Sequence, residues 1–272
     1  MSGPVAEAFD LDTAIARNQL VLEYQPIVSL GPGGLGAVAG VEALLRWRRP
    51  EGLVQPFAFL AGAEADETTI RRLTAWVLKE SLQQATVWRS DGIDLPVSVN
   101  LASANVRDPA FPRFLELTVR GTRAGDRLIA DVAATSIVGD IAPIRAAIVL
   151  MRSHGITVAL DDVYTDAAFP DVPLDLVKVG RRVIGGVSTE IETAALLQRI
   201  VIRAHAAKLR VVAVGAEDQA TVDRVAEIGC DLAQGYVIGR PMPPAELDRW
   251  LRGRQGARGV PETRATRETM DR

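Results

Sequence analysis

The fold this sequence predicts is an α/β barrel of the (β/α)8, TIM-like kind whose first strand runs antiparallel to the second. Three observations predict it. Eight short apolar or alternating runs are spread along the chain, helical patterns lie between most of them, and 272 residues suit one barrel better than two smaller domains. The strand runs are 20–24, 39–45, 97–101, 128–132, 156–160, 174–179, 210–214 and 232–237. The helical patterns are 68–89, 109–120, 141–153, 190–207, 219–228 and 244–251, two of them stopping at Gly155 and Gly229. Alternation of this sort implies a mostly parallel sheet, and eight strands suggest closure. Only the Gly-rich stretch from Gly31 to Gly36 separates the first two runs, too short for a parallel crossover, which is why the first strand is reversed. That stretch lacks the Lys-Ser/Thr of a phosphate loop and reads as a connection. Residues 1–10 are expected to be an N-terminal extension, 11–251 the barrel, and 252–272, rich in Arg, Glu, Gly and Thr, a disordered charged tail.

Composition narrows the function. A hydrophobic share of 48% fits a soluble domain with one large core. With 31 basic against 34 acidic residues, the net charge of −3 argues against a general nucleic-acid binder, which needs a positive field. A small anionic ligand stays open. The one cysteine, Cys230, forms no intrachain disulfide and has no nearby histidine to make it a nucleophile. His154 and His205, the only histidines, fall in helix C-terminal turns and suit capping. Any bound metal would therefore be a hard ion held by oxygen: magnesium, manganese or calcium. No apolar run approaches the roughly 20 residues of a membrane span, and no basic, then apolar leader opens the chain, so a cytoplasmic location is expected.

In such a barrel chemistry sits at the C-terminal mouth, so polar residues in or just after apolar strands carry the information. Glu42 lies in the second run; Asn100, Asp131, Asp161 and Asp162 end the next three; Lys178 sits in the sixth and Gln234 in the last. Any one alone is more simply a cap or a rim residue. Six strands delivering carboxylate, amide or ammonium to one end make a site. Glu42, Asn100, Asp131, Asp161 and Asp162 form an all-oxygen set able to hold one or two divalent cations, as in-line attack on a phosphodiester uses. Lys178 partly neutralises the carboxylates, which keeps a purely structural polar network as the alternative.

The segments carrying these residues resemble the EAL domain family. Tyr24-Gln25-Pro26-Ile27-Val28, Val41-Glu42-Ala43-Leu44-Leu45-Arg46-Trp47, Val97-Ser98-Val99-Asn100-Leu101, Ala159-Leu160-Asp161-Asp162, Val177-Lys178 and Ala233-Gln234-Gly235-Tyr236 with Gly239-Arg240-Pro241 stand in the family's order, and the likeness spans 11–250. The resemblance implies a barrel with a reversed first strand and hydrolysis of cyclic di-GMP to linear pGpG with two Mg²⁺ or Mn²⁺ ions. It implies Glu42, Asn100 and Asp161 as metal ligands, Asp131 as a further one, and Asp162 at the second ion. Lys178 would meet the attacking water or phosphate, Arg46 and Gln25 would bind the ligand, and Gln234 would line the pocket. Glu217 matches the second glutamate of the family's Ala-Glu-Gly-Val-Glu motif.

The departures matter as much. Val214 stands where that motif has its first glutamate, assigned to the second metal and to proton transfer; a valine does neither. Asp131-Val132-Ala133-Ala134 replaces Glu-x-Thr-Glu, so one ligand is a methylene shorter and the glutamate steadying the next loop is gone. Misplacing a catalytic group by about 1 Å costs ~10²-fold. The loop from Val163 to Phe169 replaces a Phe-Gly-Thr-Gly start and is shorter by about four residues, within the ordinary range of βα connections. Gly180 replaces an aspartate common after the lysine. One metal site is thus expected and the second doubted. The leading expectation is a catalytically impaired EAL domain that binds cyclic di-GMP or a partner protein as a regulator, with a homodimer open. The alternatives are a slow phosphodiesterase in which Asp131 and Glu217 cover for the losses, and an interaction barrel without nucleotide.

Overall fold

The computed structural model describes residues 10–31, 34–60, 67–122, 125–137 and 139–258; the expected extension before Asp10 and the tail after Arg258 lie outside the described residues. Asp10 caps α1 (Leu11–Ala16), its carboxylate accepting the Thr13 N–H at 2.7 Å. Then β1 (Leu20–Gly31) and β2 (Gly34–Arg49) form the antiparallel pair that the short Gly-rich link requires, in a register that sets Gln25 opposite Glu42. A three-residue strand the periodicity did not signal, β3 (Gly52–Val54), folds back onto the end of β2.

After α2 (Pro56–Leu60) and α3 (Glu67–Ser90) the chain alternates as expected. It runs through β4 (Val97–Leu101), α4 (Ser103–Val106), α5 (Phe111–Thr122), β5 (Leu128–Ala133), α6 (Ala142–Ser153), β6 (Thr157–Val163), β7 (Leu176–Val179), α7 (Arg181–Ile184) and α8 (Ile191–Ala206). It ends with β8 (Arg210–Val214), α9 (Gln219–Ile228), β9 (Leu232–Gln234) and α10 (Pro244–Arg258). The strands pair in the order β1, β9, β8, β7, β6, β5, β4, β2, and the β1–β2 pairing closes the ring, with β3 outside it. Every pairing from β2 round to β9 is parallel, and β1 is antiparallel to both of its neighbours.

Alternation along the strands divides the barrel. Ile27, Ala159, Leu176, Val212 and Leu232 pack together as one apolar layer, with Ile129 and Val214 against it. The larger core lies between sheet and helices, where α3 buries Leu78, Leu82 and Trp88; each such side chain contributes roughly 1.5–3 kcal/mol. Trp88 also fastens three elements, its ring edge-on to Tyr24 at 4.7 Å and its indole N–H donated to Asp248 of α10 at 2.7 Å. The backbones after α6 and α9 turn left-handed at Gly155 (φ +79°) and Gly229 (φ +101°), the stops their sequence signals.

Mutual pairing carries β1 and β2 well beyond the expected 20–24 and 39–45, and two boundaries near the C-terminal end differ as well. The last strand stops at Gln234 because the N–H groups of Ile238 and Gly239 both bond the Gly235 carbonyl, curling the chain into a turn. The final helix continues past Leu251 to Arg258, into the stretch expected to be disordered. Arg252, Arg254, Gln255, Ala257 and Arg258 are good helix formers, and no proline intervenes.

Candidate functional site

At the mouth the next inward position is polar on every strand of the ring but β8, and most of these side chains interlock. Gln234 of β9 donates its amide to Glu42 Oε2 at 2.6 Å and to Gln25 Oε1 at 3.0 Å, while the Gln25 amide donates to the Gly239 carbonyl at 3.0 Å. Asn100 Nδ2 donates to Glu42 Oε1 at 2.9 Å. On the other side Lys178 Nζ lies 2.7 Å from Asp131 Oδ2 and 3.5 Å from Glu42 Oε1. Ser98, two residues before Asn100 and inward by alternation, donates its hydroxyl to Asp131 Oδ2 at 2.6 Å. Sequence reasoning missed Ser98, although its place on the inward face of β4 was the signal.

Electrostatics follow from burial. Lys178 is 2% exposed. Desolvation alone would depress it, but Asp131, Glu42 and Asp161 together outweigh that and hold the ammonium above its ordinary pKa. Burial is the strongest influence on Glu42 as well and acts upward; Lys178 and the amides of Gln234 and Asn100 overcome it and keep the carboxyl below its usual range. Asp131 is pushed up to about 6, chiefly by burial and further by Glu42 and Asp161, with Lys178 opposing. Asp161 is raised for the same first reason. The Asp131 Oδ1 and Gln234 Oε1 atoms are buried without a hydrogen-bond partner, a costly state that a ligand or water relieves.

The remaining site residues stand apart from this network. Asp162 is exposed, at the irregularity where β6 loses register with β7, and its backbone is left-handed (φ +52°). Its carboxylate leans over Gly180, where a Cβ would come within 2.3 Å of Oδ1; any side chain at position 180 would evict it from that place. Glu217, half-exposed, pairs with Arg181 at 2.5 Å rather than with the ring. Between Lys178 and Gln234, on β8, the ring holds Val214, its one apolar member, packed onto the layer below. Among the described residues no three carboxylate, histidine or cysteine side chains converge as a ready-made metal cage.

Beside the ring, between β1, β2, β4 and α3, opens a cavity of about 1070 Å³ lined in part by Gln25, Arg46, Asn100 and Tyr236. Arg46, 8% exposed, is aimed by Glu23, which accepts from Nε at 2.8 Å, and by the Leu45 carbonyl, which accepts from Nη1 at 2.9 Å. Neither Arg71 nor Tyr236, both on its wall, was singled out from the sequence. Arg71 is braced by Glu67 and Asp108.

Away from the mouth, His154 caps α6, and His205, in the last turn of α8, bonds Asp231 at 3.0 Å. Cys230 is 5% exposed, and burial, then Asp231, pushes its thiol up to about 12. The native protein at pH 8 is expected to react with iodoacetamide at least about tenfold more slowly than the unfolded chain. Mass spectrometry of the alkylated peptide checks this.

Fold and mouth together define an α/β-barrel domain with an arginine-lined cavity next to a buried carboxylate and lysine ring. The chain belongs to the EAL domain family, whose model matches residues 9–241. It is 31% identical over 245 residues to the bifunctional diguanylate cyclase/cyclic di-GMP phosphodiesterase MucR of Pseudomonas aeruginosa, covering 88% of this chain and 35% of that protein. It is 30% identical over 240 residues to a second cyclic di-GMP phosphodiesterase of that organism, covering 85% of this chain and 40% of the relative. The chain thus spans well under half the length of these curated relatives. Among solved structures, the PaMucR phosphodiesterase in complex with cyclic di-GMP superposes with a TM-score of 0.80 at 30% identity, over 88% of this chain and 98% of that one. This is an EAL domain of the cyclic di-GMP signalling class, homologous to cyclic di-GMP phosphodiesterases.

Proposed function

We propose that this domain binds cyclic di-GMP in the cavity beside its ring and linearises it poorly or not at all, acting as a regulator in cyclic di-GMP signalling. The observation that carries the reading is Val214. On a mouth built of carboxylates, amides and an ammonium, it puts a methyl-covered wall where a second cation and a proton acceptor would be needed.

The donor set fits one divalent cation better than two. Glu42, Asn100 and Asp161 offer oxygens on one side, and the unpartnered Oδ1 of Asp131 is a buried atom that a cation would satisfy. The other side offers Val214 and an Asp162 turned toward Gly180. A bound Mg²⁺ or Mn²⁺ would polarise a phosphoryl oxygen and lower the pKa of a bound water. The chain's own part is to bind and orient: Arg46 presents a guanidinium fixed by Glu23 to a phosphate, and Gln25 and Gln234 hold one another beside it.

Hydrolysis by substitute groups has less support. Asp131 already accepts from Ser98 and Lys178, and Glu217 is engaged by Arg181, so neither is poised as a base. An interaction barrel without nucleotide fits less well, since Glu23 takes only the Nε edge of the buried Arg46 and the guanidinium lines the cavity with further donors that a phosphate would satisfy. A partner protein or a second copy would receive the bound-state signal. No helix of the described residues is long and apolar enough to cross a membrane.

Arg46→Ala is expected to weaken cyclic di-GMP binding about 100-fold in isothermal titration run below the variant's melting temperature, which loss of the Glu23 pair lowers. Binding at undiminished affinity would remove the cavity as the nucleotide site.

A further inference from the structure

Among the described residues, the exposed aromatic side chains are two tyrosines, and both follow strands at the mouth. Tyr164, 39% exposed, comes just after β6, and Tyr236, 44% exposed, just after β9. Each lies beneath a guanidinium: Arg182 at 5.4 Å from the Tyr164 ring centre, and Arg240 at 4.6 Å from that of Tyr236. Tyr236 lines the cavity on the β1 and β2 side. Tyr164 and Arg182 lie on the β6 and β7 side, and the strand order places those strands diametrically across the ring. Tyr164 is two residues from Asp162, so their Cα atoms are within about 7 Å. Arg182 sits in the first turn of α7, four residues after Lys178.

An exposed tyrosine beside an arginine can be an idle surface pair. Its placement here is not idle, because it marks the rim across the ring from the cavity, where Val214 and the leaning Asp162 have left the mouth without its second-ion side. A cyclic dinucleotide carries two purines on opposite sides of its phosphoribose ring. With that ring over Glu42, Asn100 and Lys178, one base enters the cavity and the other is directed to the β6 and β7 rim. We infer that Tyr164 and Arg182 form a stacking seat for this second purine, a subsite made by the start of the β6–β7 loop and the first turn of α7. The inference rests on the proposed cyclic di-GMP binding. A tyrosine face stacks on any base, the guanidinium adds a cation–π contact, and its paired N–H donors match the O6 and N7 acceptors of guanine. A stacked seat on the rim holds the nucleotide from the side where the second cation is lost, which favours retention over turnover.

The test is isothermal titration of the full chain with cyclic di-GMP, and with cyclic di-AMP as the base control, using wild type, Tyr164→Ala, Tyr164→Phe and Arg182→Ala. Tyr164→Ala is expected to weaken cyclic di-GMP binding about tenfold or more, and Tyr164→Phe by less than about twofold. Arg182→Ala is expected to narrow the preference for cyclic di-GMP over cyclic di-AMP. Thermal melts confirm that the variants fold, which the exposed position favours. If wild type binds and Tyr164→Ala binds as tightly, the seat is overturned while the cavity reading stands. If Tyr164→Ala changes only sedimentation, the rim is a self-contact and the seat is likewise overturned. If wild type fails to bind, the functional reading and the seat fall together.

Discussion

Lys178→Met is expected to destabilise the protein by about 3–5 kcal/mol, the cost of breaking a buried ion pair by removing one partner. For a chain of this size that lowers the melting temperature by about 10 °C. The ammonium is 2% exposed and stands 2.7 Å from Asp131 and 3.5 Å from Glu42. Methionine fills the volume but leaves the carboxylates facing one another without a counter-charge. The pH dependence has a definite sign. Asp131 is already pushed up to about 6, and without Lys178 it rises further, so the folded variant binds more protons than folded wild type as the pH falls from 7 to 5. The gap between variant and wild type therefore narrows over that range. Lys178→Met combined with Asp131→Asn removes both charges and is expected to recover part of the loss. Melts of wild type, Lys178→Met, Asp131→Asn and the double variant at pH 7 and pH 5 supply the check; equal stability of wild type and Lys178→Met at pH 7 would mean that the pair is not buried as described.

Val214→Glu is expected to raise linearisation of cyclic di-GMP about tenfold or more in the presence of Mn²⁺. The position ends β8, pairs with Gln234 on β9 and lies two residues after Val212, which pairs with Lys178, so a carboxylate there joins the ring. General-base help contributes ~10²–10⁴-fold. The gain falls short of the upper figure because Asp131 remains a methylene short and Asp162 still leans over Gly180. Adding Asp131→Glu should raise the rate further. Chromatographic measurement of pGpG reads both steps, and a double variant no faster than wild type would place the loss elsewhere.

The barrel was legible because each strand could bury its apolar positions only in an alternating register, and because the Gly-rich link is too short for a parallel crossover. The reversed β1 was therefore foreseen from loop length alone. β3 was not: three residues, Gly52–Val54, carry no period of their own and gain their strand character from pairing with Trp47, Arg48 and Arg49. At the site, strand-end position named the ring residues, since side chains on the inner face of neighbouring strands must meet. What position could not reveal is how they divide. Asp131 is drawn to Ser98 and Lys178 because its carboxylate needs donors in a buried place, and Glu217 is drawn outward to Arg181. Tyr164 and Arg182 are eighteen residues apart in the chain, and only the parallel pairing of β6 and β7 brings them together.

Cyclic di-GMP binding and turnover on one sample, with and without Mn²⁺, test the central claim most directly. The geometry predicts saturable binding with linear product at or near the uncatalysed background in both conditions. Turnover at an ordinary enzymatic rate, about 1 s⁻¹ or faster, would contradict it and show that the ring works as a catalyst despite Val214.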